Sequence, residues 1–301
     1  MNKNVEPTNK DSAEPGVNRR SIMSRIGIGA AGAAVFAAAG TGLSTAVSSP
    51  AQAQSITDFD ILNFALNLEY LEAEFYIRGF LGTGLPDTDR TGVGTPGFVL
   101  GGSQVKFQTA NIFQYAQKIT VDEVDHVRFL KRVLGANAVA APNIDLLNSF
   151  NALGVAAGLI PAGAQFDPFL NERNFLLGAF VFEDVGVTAY AGAARLLQNK
   201  DYLDAAASIL AVEAYHAGTV RTTLGALGMQ SQANAISAVR AKAGNGKEQG
   251  LSTASLTLNV APTDTDSLAY RRSASEVLSI VYNGIPAGGG FFPDRMNGTI
   301  R

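Results

Sequence analysis

Apolar residues along most of this chain recur every three to four positions, the period of one helix face. Residues 58–78 show it first. Ile61, Phe64, Ala65, Leu68, Leu71 and Phe75 form a stripe, and Asp58 or Asp60 can cap its start. Residues 79–102 are rich in Gly, Pro, Thr and Asp and predict a long loop. A second helix is expected over 103–134, stopped by Gly135. A third is expected over 168–197, with a turn at Asn199-Lys200, and a fourth over 202–227, stopped by Gly228. The connection over 135–170 carries Pro142, Pro161 and Pro168 and has room for a short helix near 145–159. No stretch alternates strongly enough to predict a strand.

The pattern therefore predicts an all-α four-helix bundle with a long crossover between helices 2 and 3. Past Gly228 the character changes. A helix over 231–243, an irregular stretch over 244–266 and an amphipathic helix over 268–282 are expected. The tail that follows holds Phe291 and Phe292, which must pack on something because exposed aromatic pairs are unfavourable in water. Residues 54–230 are thus expected to form the bundle, and 231–301 a C-terminal extension packed on it.

The first 53 residues read as an address. Arg19-Arg20 and Arg25 precede a weakly hydrophobic, Ala- and Gly-rich run from Ile26 to Val47, and Ala51-Gln52-Ala53 closes it with a small-residue cleavage pattern. This order predicts a signal peptide of the twin-arginine type, cleaved after Ala53, and a periplasmic or otherwise exported protein. Residues 54–301 hold 18 Lys and Arg against 23 Asp and Glu, which argues against nucleic acid as a partner. With no cysteine, disulfides, thiolate catalysis, iron–sulfur clusters and zinc–thiolate sites are excluded. The chain is 47% hydrophobic and only 16% charged, so a large core can be buried.

Two histidines carry the candidate chemistry. His126 lies three residues after Glu123, and His216 three after Glu213. On a helix that spacing puts carboxylate and imidazole on one face. The first and third helices add Glu69 with Tyr76, and Glu183 with Tyr190, each pair seven residues apart and so nearly two full turns. The chain reads as a twofold repeat of Glu-x6-Tyr followed by Glu-x-x-His. Ala65-x3-Glu69 is echoed by Ala179-x3-Glu183. Four glutamates and two histidines in this helix order suit a two-metal carboxylate site. Glu69 and Glu183 sit in apolar runs, where a carboxylate is unfavourable unless paired or metal-bound. Glu72 is a rival to Glu69, but its counterpart in the repeat is Gly186. Glu74 is expected to face solvent. Tyr76 and Tyr190 are candidates to donate hydrogen bonds to ligand carboxylates, with core packing as the other role. Asp122 and Asp125 either orient a ligand histidine or lie on the helix surface.

The segments Asn67-Leu-Glu-Tyr-Leu-Glu-Ala-Glu-Phe-Tyr76 and Asp122-Glu-Val-Asp-His-Val-Arg-Phe-Leu130 resemble the ferritin-like superfamily, in its desiccation-related branch. The ending, Ala274 to Tyr282 with Gly290 to Gly298, is similar to the same branch. The resemblance spans roughly residues 55–298. It implies a ferritin-like four-helix bundle with Glu69, Glu123 and His126 on one metal and Glu183, Glu213 and His216 on the other, Glu123 and Glu213 bridging. Iron or manganese is the expected metal pair. The resemblance supplies a fold and a site more than a reaction; the carboxylate-rich pair itself suits Fe(II) oxidation or peroxide removal in oxidative or desiccation stress, with oxygen, peroxide or Fe2+ as small-molecule partners. A non-catalytic envelope protein with a vestigial site, in peripheral contact with the envelope or as a homo-oligomer, is the alternative. The tail and leader depart from cage-forming ferritins.

Overall fold

The computed structural model describes residues 55–255 and 257–301, and the expected leader lies outside them. The helices in chain order are α1 (Asp58–Leu81), α2 (Asp87–Arg90), α3 (Ala110–Leu134), α4 (Asn148–Ala156), α5 (Glu172–Ala194), α6 (Lys200–Ala226), α7 (Gln230–Ala243) and α8 (Ala274–Val281). Two short strands, β1 (Val99–Leu100) and β2 (Ile144–Asp145), pair in parallel. The four long helices α1, α3, α5 and α6 form the bundle, with α1 against α3 and α5 against α6 as its closest pairs.

The burial of each helix follows from its place. On α1 and α5 nearly every position is buried, because the bundle covers one side and the loops and the C-terminal segment cover the other. By length and composition α5 could cross a membrane, yet most of it is buried within the protein. Helices α3 and α6 are amphipathic and keep one wet face.

Several boundaries differ from the sequence expectation, each for a visible reason. The cap of α1 is Thr57, which forms a reciprocal capping box with Asp60. The second bundle helix starts at Ala110, not near 103. The Glu172 carboxylate accepts from the backbone N–H groups of Gln108 and Thr109 and from the Thr109 hydroxyl, while Val105 N–H donates to Gly79 O at 2.8 Å. These bonds hold 103–109 extended. The third bundle helix starts at Glu172 behind its cap Asn171, and the fourth behind Asn199. The last helix is shorter than expected. It begins at Ala274 behind a Ser273–Glu276 capping box, because Arg272 N–H is spent on Thr188 O at 3.0 Å. The two strands were not expected. They are two residues each, and their pairing is set by where the 79–102 loop meets the crossover.

Glu74 corrects the sequence reading. It is fully buried, not solvent-facing. The 79–102 loop folds back over α1 and brings Arg90 to 3.4 Å from Glu74, and Arg78 sits at 2.8 Å. The aromatic tail packs as its composition requires. Phe291 meets Phe150 and Phe182 edge-on, with ring centres 5.0 and 4.9 Å apart. Asn67 of α1 exchanges two hydrogen bonds with the Asn297 backbone, tying the tail to the helix that carries Glu69.

A second polar core anchors the extension. Asp184 of α5 is fully buried and takes a bidentate Arg221 (2.8 and 2.9 Å) together with Arg240 (2.6 Å). Glu248 then bridges Arg240 and Arg272, at 2.9 Å to each. The remaining Arg221 donors reach the carbonyls of Gln249, Gly250 and Asn259. Burying so many charges is tolerable only because nearly every donor has a partner.

Candidate metal centre

The six sequence-predicted residues arrive from four helices at one buried place. Glu69 comes from α1, Glu123 and His126 from α3, Glu183 from α5, and Glu213 and His216 from α6. Their ligand-type atoms form two groups, Glu69–Glu123–His126–Glu213 and Glu123–Glu183–Glu213–His216, each with its atoms within 4.8 Å of one another. Glu123 and Glu213 belong to both. All four glutamates are essentially inaccessible to solvent, and His216 is buried too.

Distances within the groups are those of donors around a common centre. His126 Nδ1 lies 3.3 Å from Glu69, 3.5 Å from Glu123 and 3.3 Å from Glu213. His216 Nδ1 lies 3.0 Å from Glu123 and 3.5 Å from Glu183. Neighbouring ligands on one six-coordinate ion stand about 3 Å apart when each is about 2.1 Å from it. The decisive observation is what these atoms lack. One oxygen each of Glu69 and Glu183, both oxygens of Glu123 and Glu213, and Nδ1 of both histidines are buried with no hydrogen-bond partner among the described residues. Eight orphaned donors aimed at two points are what a pair of cations would satisfy. A donor set rich in carboxylate and poor in nitrogen suits iron or manganese.

The supporting contacts cross between the halves. The Tyr76 hydroxyl donates to Glu183, and the Tyr190 hydroxyl donates to Glu69. Each tyrosine thus uses one oxygen of the opposite half's glutamate and leaves the other free to face the cluster. His216 Nε2 lies 3.0 Å from Asp122, which also pairs with Lys118. With Nε2–H donating to Asp122, Nδ1 keeps its lone pair toward the glutamates. Asp122 therefore serves the histidine of the other half, not His126 on its own helix. Asp125 takes no part and lies exposed, 3.5 Å from Arg128. A small apolar cavity of about 10 Å3, room for about one water, lies between α3, α5 and α6 and is lined by Tyr76, Ala116, Ala179 and Val220 among others. Sequence reasoning missed how deeply Glu72 lies beside the cluster. The only signal for it was an unexplained glutamate one turn from Glu69.

Phenylalanine at either tyrosine removes a charge-assisted bond while keeping the ring. Tyr76→Phe should lower metal affinity about 10-fold, measured by competition with a coloured chelator. Unchanged affinity would reduce Tyr76 to core packing.

The electrostatics favour protons when no cation is bound. Burial raises the carboxyl groups of Glu69 and Glu183, partly offset by His126 and His216 respectively. Burial, followed by Glu123, raises Glu213 well above the usual range. Burial also works against ionised Glu123, but the two histidines close beside it, His126 and His216, outweigh it and bring Glu123 down to about 2. Burial opposes charge on both histidines, yet Glu69 and Glu183 raise them far above 6.5. Groups raised on folding stabilise the protein below their unfolded values and lose that contribution as pH rises through the folded ones. Chelated protein should therefore become less stable as pH rises above 4.5, and more so above 6.5, because the groups lowered on folding, Glu123 and Asp122 among them, change their contribution only below that range. Thermal melts with and without metal check this, and metal should flatten the slope.

The matched span in known proteins contains all six residues. A family model for the ferritin-like domain matches residues 57–226. The chain is similar to ferritin-like catalase Nec2 of Nesocodon mauritianus, with 28% identity over 278 residues, 81% of this chain and 84% of that protein. It is also similar to desiccation-related protein PCC13-62 of Craterostigma plantagineum, with 32% identity over 174 residues, 56% of this chain and 53% of that protein. No solved structure gives a significant match. With more than half its length matched and the bundle in the expected helix order, this chain belongs to the ferritin-like domain family.

Proposed function

We propose that Glu69, Glu123, His126, Glu183, Glu213 and His216 hold two iron or manganese ions, and that the protein removes peroxide in oxidative or drying stress. The convergence of eight unpartnered buried donors carries this reading. When bound, such a pair of ions would supply the two-electron redox chemistry by which two peroxides become two waters and one dioxygen. The chain's own residues do the rest. The four carboxylates offset the charge of two divalent ions. Asp122 fixes the His216 tautomer. Tyr76 and Tyr190 hold Glu183 and Glu69 in place, and the apolar walls keep bulk water away. The relative named a ferritin-like catalase, matched over most of both chains, favours peroxide over Fe(II) oxidation at the same centre.

The test is metal analysis of protein purified from its own export route, followed by peroxide-consumption and Fe(II)-oxidation assays. Absence of metal, with none taken up on reconstitution, overturns the reading. Export belongs to the same proposal, and a mature N-terminus at Gln54 would support it. Size-exclusion chromatography tells it from an iron-storage cage, which needs a far larger assembly.

The similarity to a desiccation-related protein favours a second reading, non-catalytic protection. Val93 and Phe98 of the 79–102 loop are well exposed and could serve as contacts. The pair His126→Ala with His216→Ala separates the readings. If stress protection survives the double change, the metal centre is not the functional one.

A further inference from the structure

The two halves of the repeat differ most at Glu72. It lies one turn after Glu69 on α1, and its counterpart on α5 is Gly186. Glu72 is 4% exposed, and no hydrogen bond or ion pair to it is found among the described residues. A Cβ added at Gly186 would stand 2.9 Å from Glu213 Oε2 and 3.4 Å from Glu72 Oε1. Two carboxylates crowd that space, and glycine at 186 is what leaves room for both. Glu72 therefore stands beside Glu213 at the edge of the cluster.

Coordination chemistry gives this position a use. Each group of ligand atoms offers four donors, one from each residue, whereas hard first-row ions with oxygen-rich ligands favour about six. Both imidazoles enter from α3 and α6, so the side between α1 and α5 carries carboxylates only. Glu72 stands on that side. A buried carboxylate with no protein partner is unfavourable unless a cation takes it up.

We propose that Glu72 is a seventh protein ligand of the centre, closing from the α1–α5 side a coordination position that a small external anion or peroxide would otherwise take. This rests on the metal reading above. An incoming ligand must displace Glu72, so the residue screens what reaches the ions. Its place on only one half makes the two-metal centre asymmetric in a way the twofold repeat does not suggest.

Azide, a small anion that ligates open metal positions, is the probe. Wild type, Glu72→Gln and Glu72→Ala are loaded with iron, oxidised in air, analysed for metal and titrated with azide, followed by its charge-transfer absorption. Azide should bind the alanine variant about tenfold more tightly than wild type, with the glutamine variant between them. Glutamine keeps the shape and removes the charge, so it decides the matter should the alanine variant be unstable. Equal azide affinity in loaded wild type and glutamine variant overturns the seventh ligand and leaves the metal centre standing. Failure of wild type to take up metal overturns both.

Discussion

Replacing Glu123 by alanine should leave the protein unable to hold either metal, whereas Glu69→Ala should spare one of the two. Glu123 is shared. One oxygen lies 3.5 Å from His126 Nδ1 and the other 3.0 Å from His216 Nδ1. Its loss takes a donor and a negative charge from both groups at once. Glu69 belongs to one group only. For Glu123→Ala the affinity loss should exceed about 100-fold, the upper range for a residue that merely supports a ligand. Metal counted after dialysis against a weak chelator should fall from two per chain to none, and for Glu69→Ala from two to one. Circular dichroism checks that the helices persist. If Glu123→Ala retained one full equivalent, the sharing of this carboxylate would be wrong.

The second large effect lies outside the metal centre. Asp184→Ala should lower stability by about 3–5 kcal/mol, the range for breaking a buried ion pair on one side. Arg221 would lose its bidentate carboxylate, and Arg240 would keep Glu248 as its one carboxylate among the described residues, beside the Phe180 and Val181 carbonyls. Both guanidinium groups are buried, so water cannot replace what is lost. For a chain of this size the melting temperature should fall by roughly 6–20 °C. Burial works against charge on Asp184, but Arg221 and Arg240 outweigh it and hold the carboxyl below 3.8. A group lowered on folding contributes above its unfolded value and loses that contribution as pH falls through the folded one. The gap between wild type and variant should therefore be full at neutral pH and close in strong acid. Because Asp184 adjoins Glu183 and anchors the segment around 248–272, loosening it should also weaken metal binding. Urea unfolding with paired metal titrations measures both. A variant as stable as wild type at pH 7 would mean that the network contributes nothing net.

Much of this protein was legible in its sequence because much of its logic is local. Helix spacing alone puts Glu123 with His126 and Glu213 with His216 on single faces, whatever surrounds them. The echo of Glu-x6-Tyr selects Glu69 and Glu183 from eleven glutamates. Gly135 and Asn199 mark helix ends by backbone chemistry that needs no neighbours.

Only the tertiary structure decided which helix each side chain meets. Tyr76 shares a face with Glu69, but its hydroxyl goes to Glu183. Asp122 sits four residues before His126, yet holds His216. Glu74 looked like a solvated position until a loop from further along the chain covered it with Arg90. The start of α3 was set by Glu172, more than sixty residues away. Periodicity reports which residues share a face of one helix. It carries no information about what lies opposite, because that depends on packing among distant segments. The six ligand candidates were readable because each half of the site repeats on a helix. The crossing of the tyrosines, the role of Asp122 and the burial of Glu72 required the bundle to close.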